Sequence, residues 1–129
     1  FFNEGIEIFV ECEKKLHPAI ECMKTNGQNT RSLRGLHFMM PETPIIDAKG
    51  YTKFWVPNGY TCTKEGKMIR GAMWAIGLYR REKDLITVTL TGSHYHYVCV
   101  HEYIHACGYN HICDKDKAQE EKNFSCAKR

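Results

Sequence analysis

Residues 101–111 read His101-Glu102-Tyr103-Ile104-His105-Ala106-Cys107-Gly108-Tyr109-Asn110-His111, a run in which five positions together could do chemistry. On a helix, residues four apart share a face, so His101 and His105 can offer two imidazoles to one ion. Glu102 projects beside them and is the only acidic residue within the run, so it is the candidate general base. Gly108 stands three residues after His105, where a helix commonly ends in a left-handed residue that glycine adopts without strain. The reversed chain can then return His111 as a third ligand from outside the helix. Three imidazoles leave a tetrahedral zinc ion one open position, the mark of a catalytic rather than a closed structural site.

The spacing H-E-x-x-H-x-x-G-x-x-H resembles the zinc signature of the metzincin clan of metallopeptidases, matching it over 11 residues of the chain. The resemblance implies zinc as cofactor, His101, His105 and His111 as ligands, and Glu102 as the base on a metal-activated water. The expected reaction is hydrolysis of a peptide bond in a protein or peptide substrate. Metzincins also carry a methionine in a tight turn beneath the metal, downstream of the third histidine. Here no Met follows Met73 and only 18 residues follow His111, so the methionine turn has no evident counterpart, although Phe124 could supply an apolar floor. Three readings stay open: a minimal or divergent peptidase, a metal-binding domain without activity, and a two-histidine enzyme whose third ligand is a distant Glu or Asp. The second of these corresponds to a zinc-containing binding module, or inactive homologue, that recognises a protein partner.

The other polar candidates carry weaker arguments. His94, two helical turns before His101, could share the ligand face but suits a helix start. His17 and His37 have no spacing relation to the signature. Tyr103 and Tyr109 flank it and could bond an oxyanion, although packing is the simpler use of both.

The elements that must hold the signature follow from hydrophobic periodicity. Residues 4–24 place Ile6, Phe9, Val10, Leu16, Ile20 and Met23 at helical intervals, predicting a long amphipathic helix kinked or restarted near Pro18. Residues 33–40 alternate as a strand, 41–50 form a loop, and 51–56 form a second strand stopped by Pro57-Asn58-Gly59. Residues 59–67 read as a surface loop carrying Cys62. Residues 68–80 contain two glycines, Gly71 and Gly77, and predict one strand with a bulge. Residues 81–84 make a turn and 85–90 the clearest strand. Gly92-Ser93 offers a break and an N-cap for a helix over about 94–107, and 115–123 suits a short last helix.

This order predicts an α+β fold in one domain spanning 1–129. The metzincin resemblance implies a twisted mixed sheet backed by the N-terminal helix, with the active-site helix below. In that family an edge strand of the sheet pairs with the substrate backbone. Gly71, Ala72, Met73 and Trp74 are the candidate substrate-binding edge, and the competing use of Met73 and Trp74 is core packing.

Composition bounds the rest. The 129 residues are 43% hydrophobic and 26% charged, ordinary globular material. A net charge of +3 is too small to argue for nucleic acid or an anionic membrane as partner. No apolar run approaches the roughly 18 residues of a bilayer span. The chain begins Phe1-Phe2, which suggests a processed product. Seven cysteines, with no C-x-x-C pair, predict two or three disulfides, one thiol left over, and a secreted or extracytoplasmic setting, the alternative being a reduced protein whose cysteines are small buried hydrophobes.

Overall fold

The computed structural model describes residues 4–89, 95–113 and 117–128, with side chains from residue 7 and, in the second helix, from residue 97. Helix α1 (Glu4–Thr25) is continuous through Pro18. It buries Ile8, Cys12, Leu16, Ala19 and Met23, a stripe with the three-and-four spacing of one helical face. Its end is closed by paired backbone bonds, Gln28 N to Met23 O at 2.9 Å and Gly27 N to Lys24 O at 3.0 Å. Gly27 supplies the positive φ of 73° that this cap requires.

The fold is α+β, with two three-stranded sheets. The first has order β1 (His37–Met39), β6 (Leu85–Val88), β5 (Gly77–Arg80); β1 runs parallel to β6, and β5 antiparallel to it. Helices α1 and α2 (Tyr95–Ala106) share the principal core with this sheet. Phe38, Ile86 and Val88 meet Ile8, Leu16 and Met23 of α1 and Val98, Cys99, Tyr103 and Ile104 of α2 in one cluster. Alternate residues of the strands face the other way, where Leu78 joins a smaller cluster of Phe54, Val56 and Ala75. Those last three belong to the second sheet, antiparallel, of order β2 (Ile45–Ile46), β3 (Thr52–Cys62), β4 (Met68–Ala75). A cleft of about 260 Å³ opens between the sheets, lined in part by Met39, Phe54, Leu78 and Arg80.

Four boundaries differ from expectation. Pro57-Asn58-Gly59 does not stop β3, which runs to Cys62 with a register shift between Val56 and Gly59. Proline is tolerated there because β2 pairs only with Thr52 and Lys53, leaving that side of Pro57 without a strand neighbour among the described residues. A Cβ on Gly59 would stand 2.7 Å from Met73 Sδ, so a larger residue there would push the Met73 side chain aside. Residues 68–80 are not one bulged strand but two, divided at Ile76 and entering different sheets. The expected loop 41–50 contains the two-residue strand β2. The strand predicted over 33–40 is shorter, spanning His37–Met39. Gly92, Ser93 and His94 lie outside the described residues.

Three disulfides cross-link these elements: Cys12–Cys99, Cys22–Cys126 and Cys62–Cys113, with Cys107 free. They suggest an oxidising, extracytoplasmic environment. Among the described residues no helix is long and apolar enough to cross a membrane. The loop after α1 is held to α2 by Tyr103, whose buried hydroxyl donates to Arg31 O at 2.7 Å and accepts from Arg31 N at 3.1 Å. The Arg31 guanidinium in turn makes a bidentate pair with Asp84, holding that carboxyl below its usual range.

Candidate metal centre

Helix α2 carries His101 and His105 one turn apart, and its end is built like that of α1. Tyr109 N bonds Ile104 O at 3.3 Å and Gly108 N bonds His105 O at 2.9 Å, while Gly108 takes a φ of 103°. A side chain with a Cβ would be strained in that conformation, so the glycine of the signature is what lets the chain turn back here. The turn returns His111 to the other two imidazoles. His101, His105 and His111 form a group whose ligand atoms all lie within 4.8 Å of one another, and which could hold a metal ion. His101 Nε2 stands 3.3 Å from His111 Nε2, and His105 Nε2 stands 3.2 Å from it.

The far side of two of these rings fixes which nitrogen carries the proton. His105 Nδ1 lies 2.8 Å from the carbonyl oxygen of Tyr109, an acceptor only, so Nδ1 is protonated and donates. His111 Nδ1 lies 2.5 Å from Glu120 Oε1 and donates to that carboxylate. With the Nδ1 proton of each ring directed to its far side, the facing Nε2 atoms of His105 and His111, 3.2 Å apart, are the nitrogens each neutral ring offers to a ligand. Such a contact calls for a positive charge between the rings, whether a proton on one of them or a metal ion. The residues present thus fit a cation. Burial, with the neighbouring imidazoles adding to it, pushes His101 down to about 3 and His105 down to about 4, so both are neutral, as ligands must be. Among the described residues, His101 Nδ1 is buried without a hydrogen-bond partner.

Beneath the three rings lies Phe124, 3% exposed. It stacks on His101 with centroids 4.5 Å apart and on His111 at 5.4 Å, and meets His105 at a tilt at 5.0 Å. The apolar floor expected of Phe124 is present. Glu120 and the Tyr109 carbonyl were not legible as partners, because no spacing rule relates a residue of the last helix to a histidine nine positions earlier.

Glu102 is 5% exposed, on the next side of α2, and burial pushes its carboxyl up to about 8. It lies against β5: a Cβ on Gly77 would come 3.1 Å from Glu102 Oε2 and 2.3 Å from Val98 Cγ1. Gly77 is thus the residue that lets the sheet approach α2, and it is the strand residue packed beside Glu102. Gly71, Ala72, Met73 and Trp74 stand elsewhere, on β4, the terminal strand of the second sheet. Trp74 is about half exposed and meets Trp55 edge-on at 5.2 Å, so it is not a core residue, whereas Met73 packs on the smaller cluster. The tyrosines of the signature are structural: Tyr103 is bonded to Arg31, and Tyr109 accepts from Asn29 N at 2.8 Å. His17 is exposed beside Glu13, and His37 is exposed on β1.

Gly77→Ala should destabilise the protein by about 1–3 kcal/mol, the usual range for overpacking a filled site. Gly71→Ala, with nothing within 4 Å of its Cβ, should stay close to wild type. Urea midpoints of the two variants check this; equal midpoints would mean that β5 and α2 are not in close contact. Comparison with family models, with curated proteins and with solved structures finds no match for the chain.

Proposed function

We propose that the chain is a zinc-dependent endopeptidase of metzincin-like design, with His101, His105 and His111 as the zinc ligands and Glu102 as general base. The observation that carries this is the convergence of the three Nε2 atoms, with the Nδ1 of His105 and of His111 each engaged on the far side of its ring. Their spacings of 3.2 and 3.3 Å are close to the edge of a tetrahedron whose zinc–nitrogen bonds are about 2.0–2.1 Å, roughly 3.3–3.4 Å. When bound there, zinc supplies the Lewis acidity that activates water and polarises a scissile carbonyl. Glu102 takes the proton of the attacking water and returns it to the leaving amine, a cycle favoured by a carboxyl whose proton affinity burial has raised. Gly77 keeps that carboxyl between strand and helix. The substrate backbone runs along β5, the terminal strand of the first sheet and the one beside Glu102, in preference to β4.

A purified, undisturbed sample should contain about one zinc per chain and cleave casein. A strong chelator should abolish the cleavage and added zinc restore it. A protein that neither contains nor takes up zinc defeats the reading. Zinc uptake without cleavage of casein supports the second reading, a zinc-containing binding module or inactive homologue. The half-exposed Trp55–Trp74 pair on the outer face of the hairpin favours that alternative, since it is a surface suited to a protein partner.

A further inference from the structure

The metal reading places three ligands on residues 101–111 but leaves open what holds them in register, since His111 stands on an exposed loop. Two features of the last described segment bear on this. Glu120 of α3 (Lys117–Asn123) accepts from His111 Nδ1, on the side of the ring away from the other imidazoles. It is not a member of the converging group, so it acts behind a ligand rather than as one. Its second oxygen lies 3.9 Å from the exposed Lys117 Nζ. Phe124, which follows α3, touches all three imidazole rings and offers no ligating atom.

The segment bearing these residues is not a loose end. Cys126, in the 3-10 turn Ser125–Lys128, is joined to Cys22 near the end of α1. Gln28 Nε2 donates to Asn123 O at 2.9 Å, and Asn26 Nδ2 reaches Cys126 Sγ at 3.4 Å. The capped end of α1 therefore fixes Phe124 and Glu120 relative to α2 from the far side of the site.

Resting on the metal reading above, we propose that residues 117–128 are part of the metal centre, with Glu120 the positioning residue for His111 and Phe124 the floor on which the imidazoles rest. A carboxylate behind Nδ1–H fixes the tautomer and strengthens the ligand, a role whose loss elsewhere costs 10–100-fold in metal affinity. An apolar ring beneath the imidazoles restricts their rotation and keeps water from competing at that face.

The test is metal affinity measured with zinc against a chromophoric chelator, on chains treated to remove metal and shown to be folded. Glu120→Gln should bind zinc about 10–100-fold more weakly, with the melting temperature of the metal-free protein unchanged. Glu120→Asp should recover part of the loss, and Glu121→Gln, on the exposed face of α3, should match wild type. Nitrogen-15 spectra of the metal-free imidazoles should show His111 protonated at Nδ1 in wild type and a mixture of tautomers in Glu120→Gln. Phe124→Leu, chosen to preserve folding, should give up zinc to the chelator several-fold faster. Wild-type affinity and tautomer in Glu120→Gln overturn Glu120's role, and an unchanged release rate in Phe124→Leu overturns the floor. Wild-type protein that takes up no zinc instead overturns the metal reading beneath both.

Discussion

Glu102→Gln should keep its zinc and lose about 10²–10⁴-fold in casein turnover, the usual contribution of a positioned acid–base group. The amide preserves the shape of the side chain and its contact beneath Gly77 but can neither accept the proton of water nor hand it on. The same substitution should change the metal-free protein in the opposite sense. The Glu102 carboxyl is pushed from 4.5 up to about 8 by burial, so the folded state binds this proton more tightly than the unfolded chain does. The stabilising protonated form is fully present below about 4.5. Its contribution is lost as pH rises, progressively between 4.5 and 8, and above 8 a buried charge opposes folding. Glutamine has no such titration. With zinc removed, wild type and Glu102→Gln should unfold at similar urea concentrations at pH 4.5, and the variant should be the more stable at pH 8.5. The gap there should be on the order of a few kcal/mol. Undiminished turnover in the variant rejects Glu102 as the base. Urea curves whose separation does not change with pH reject its burial.

The signature was legible because its logic is local: His101 and His105 are one helical turn apart, and the Gly108 cap brings His111 back within three residues. The α1 stripe was legible for the same reason, its buried residues recurring at the helical period. Pro57-Asn58-Gly59 misled because a turn signal in the sequence does not reveal whether a second strand runs alongside. There β3 has lost its β2 neighbour, so proline costs no ladder bond and a bulge absorbs the extra residue. Residues 68–80 misled because their apolar character is continuous although they serve two sheets. Nothing near Gly77 in the sequence announces its role, since the Val98 and Glu102 side chains that require it come from some twenty residues later. Glu120 was illegible in kind: its relation to His111 is set through Cys22–Cys126, a contact 104 residues long in sequence. The histidine positions are thus written locally, and what steadies them is written over the length of the chain.

Removing the Cys12–Cys99 disulfide as a Cys12→Ala/Cys99→Ala pair should produce the largest loss of stability of any change considered. The bond closes a separation of 87 residues, and both cysteines are fully buried where α1 meets α2. Loop-closure entropy for that span amounts to about 4–5 kcal/mol, a large part of the 5–15 kcal/mol typical of a folded domain. For a chain of this length the metal-free melting temperature should fall by roughly 15–25 °C. Cys99 lies two residues before His101, so the loss is felt on the helix that carries the first two ligands. A ligand that binds only the folded state returns about 4 kcal/mol when its free concentration is 1,000 times its dissociation constant. Excess zinc should therefore restore most of the lost melting temperature, provided the ligands still converge in the variant. Differential scanning calorimetry with and without zinc separates the outcomes. A lowered melting temperature that zinc raises places the disulfide in the scaffold, apart from the ligands. A lowered melting temperature that zinc leaves unmoved, while it raises that of wild type, means that the α1–α2 staple is itself needed to bring His101 and His105 to His111.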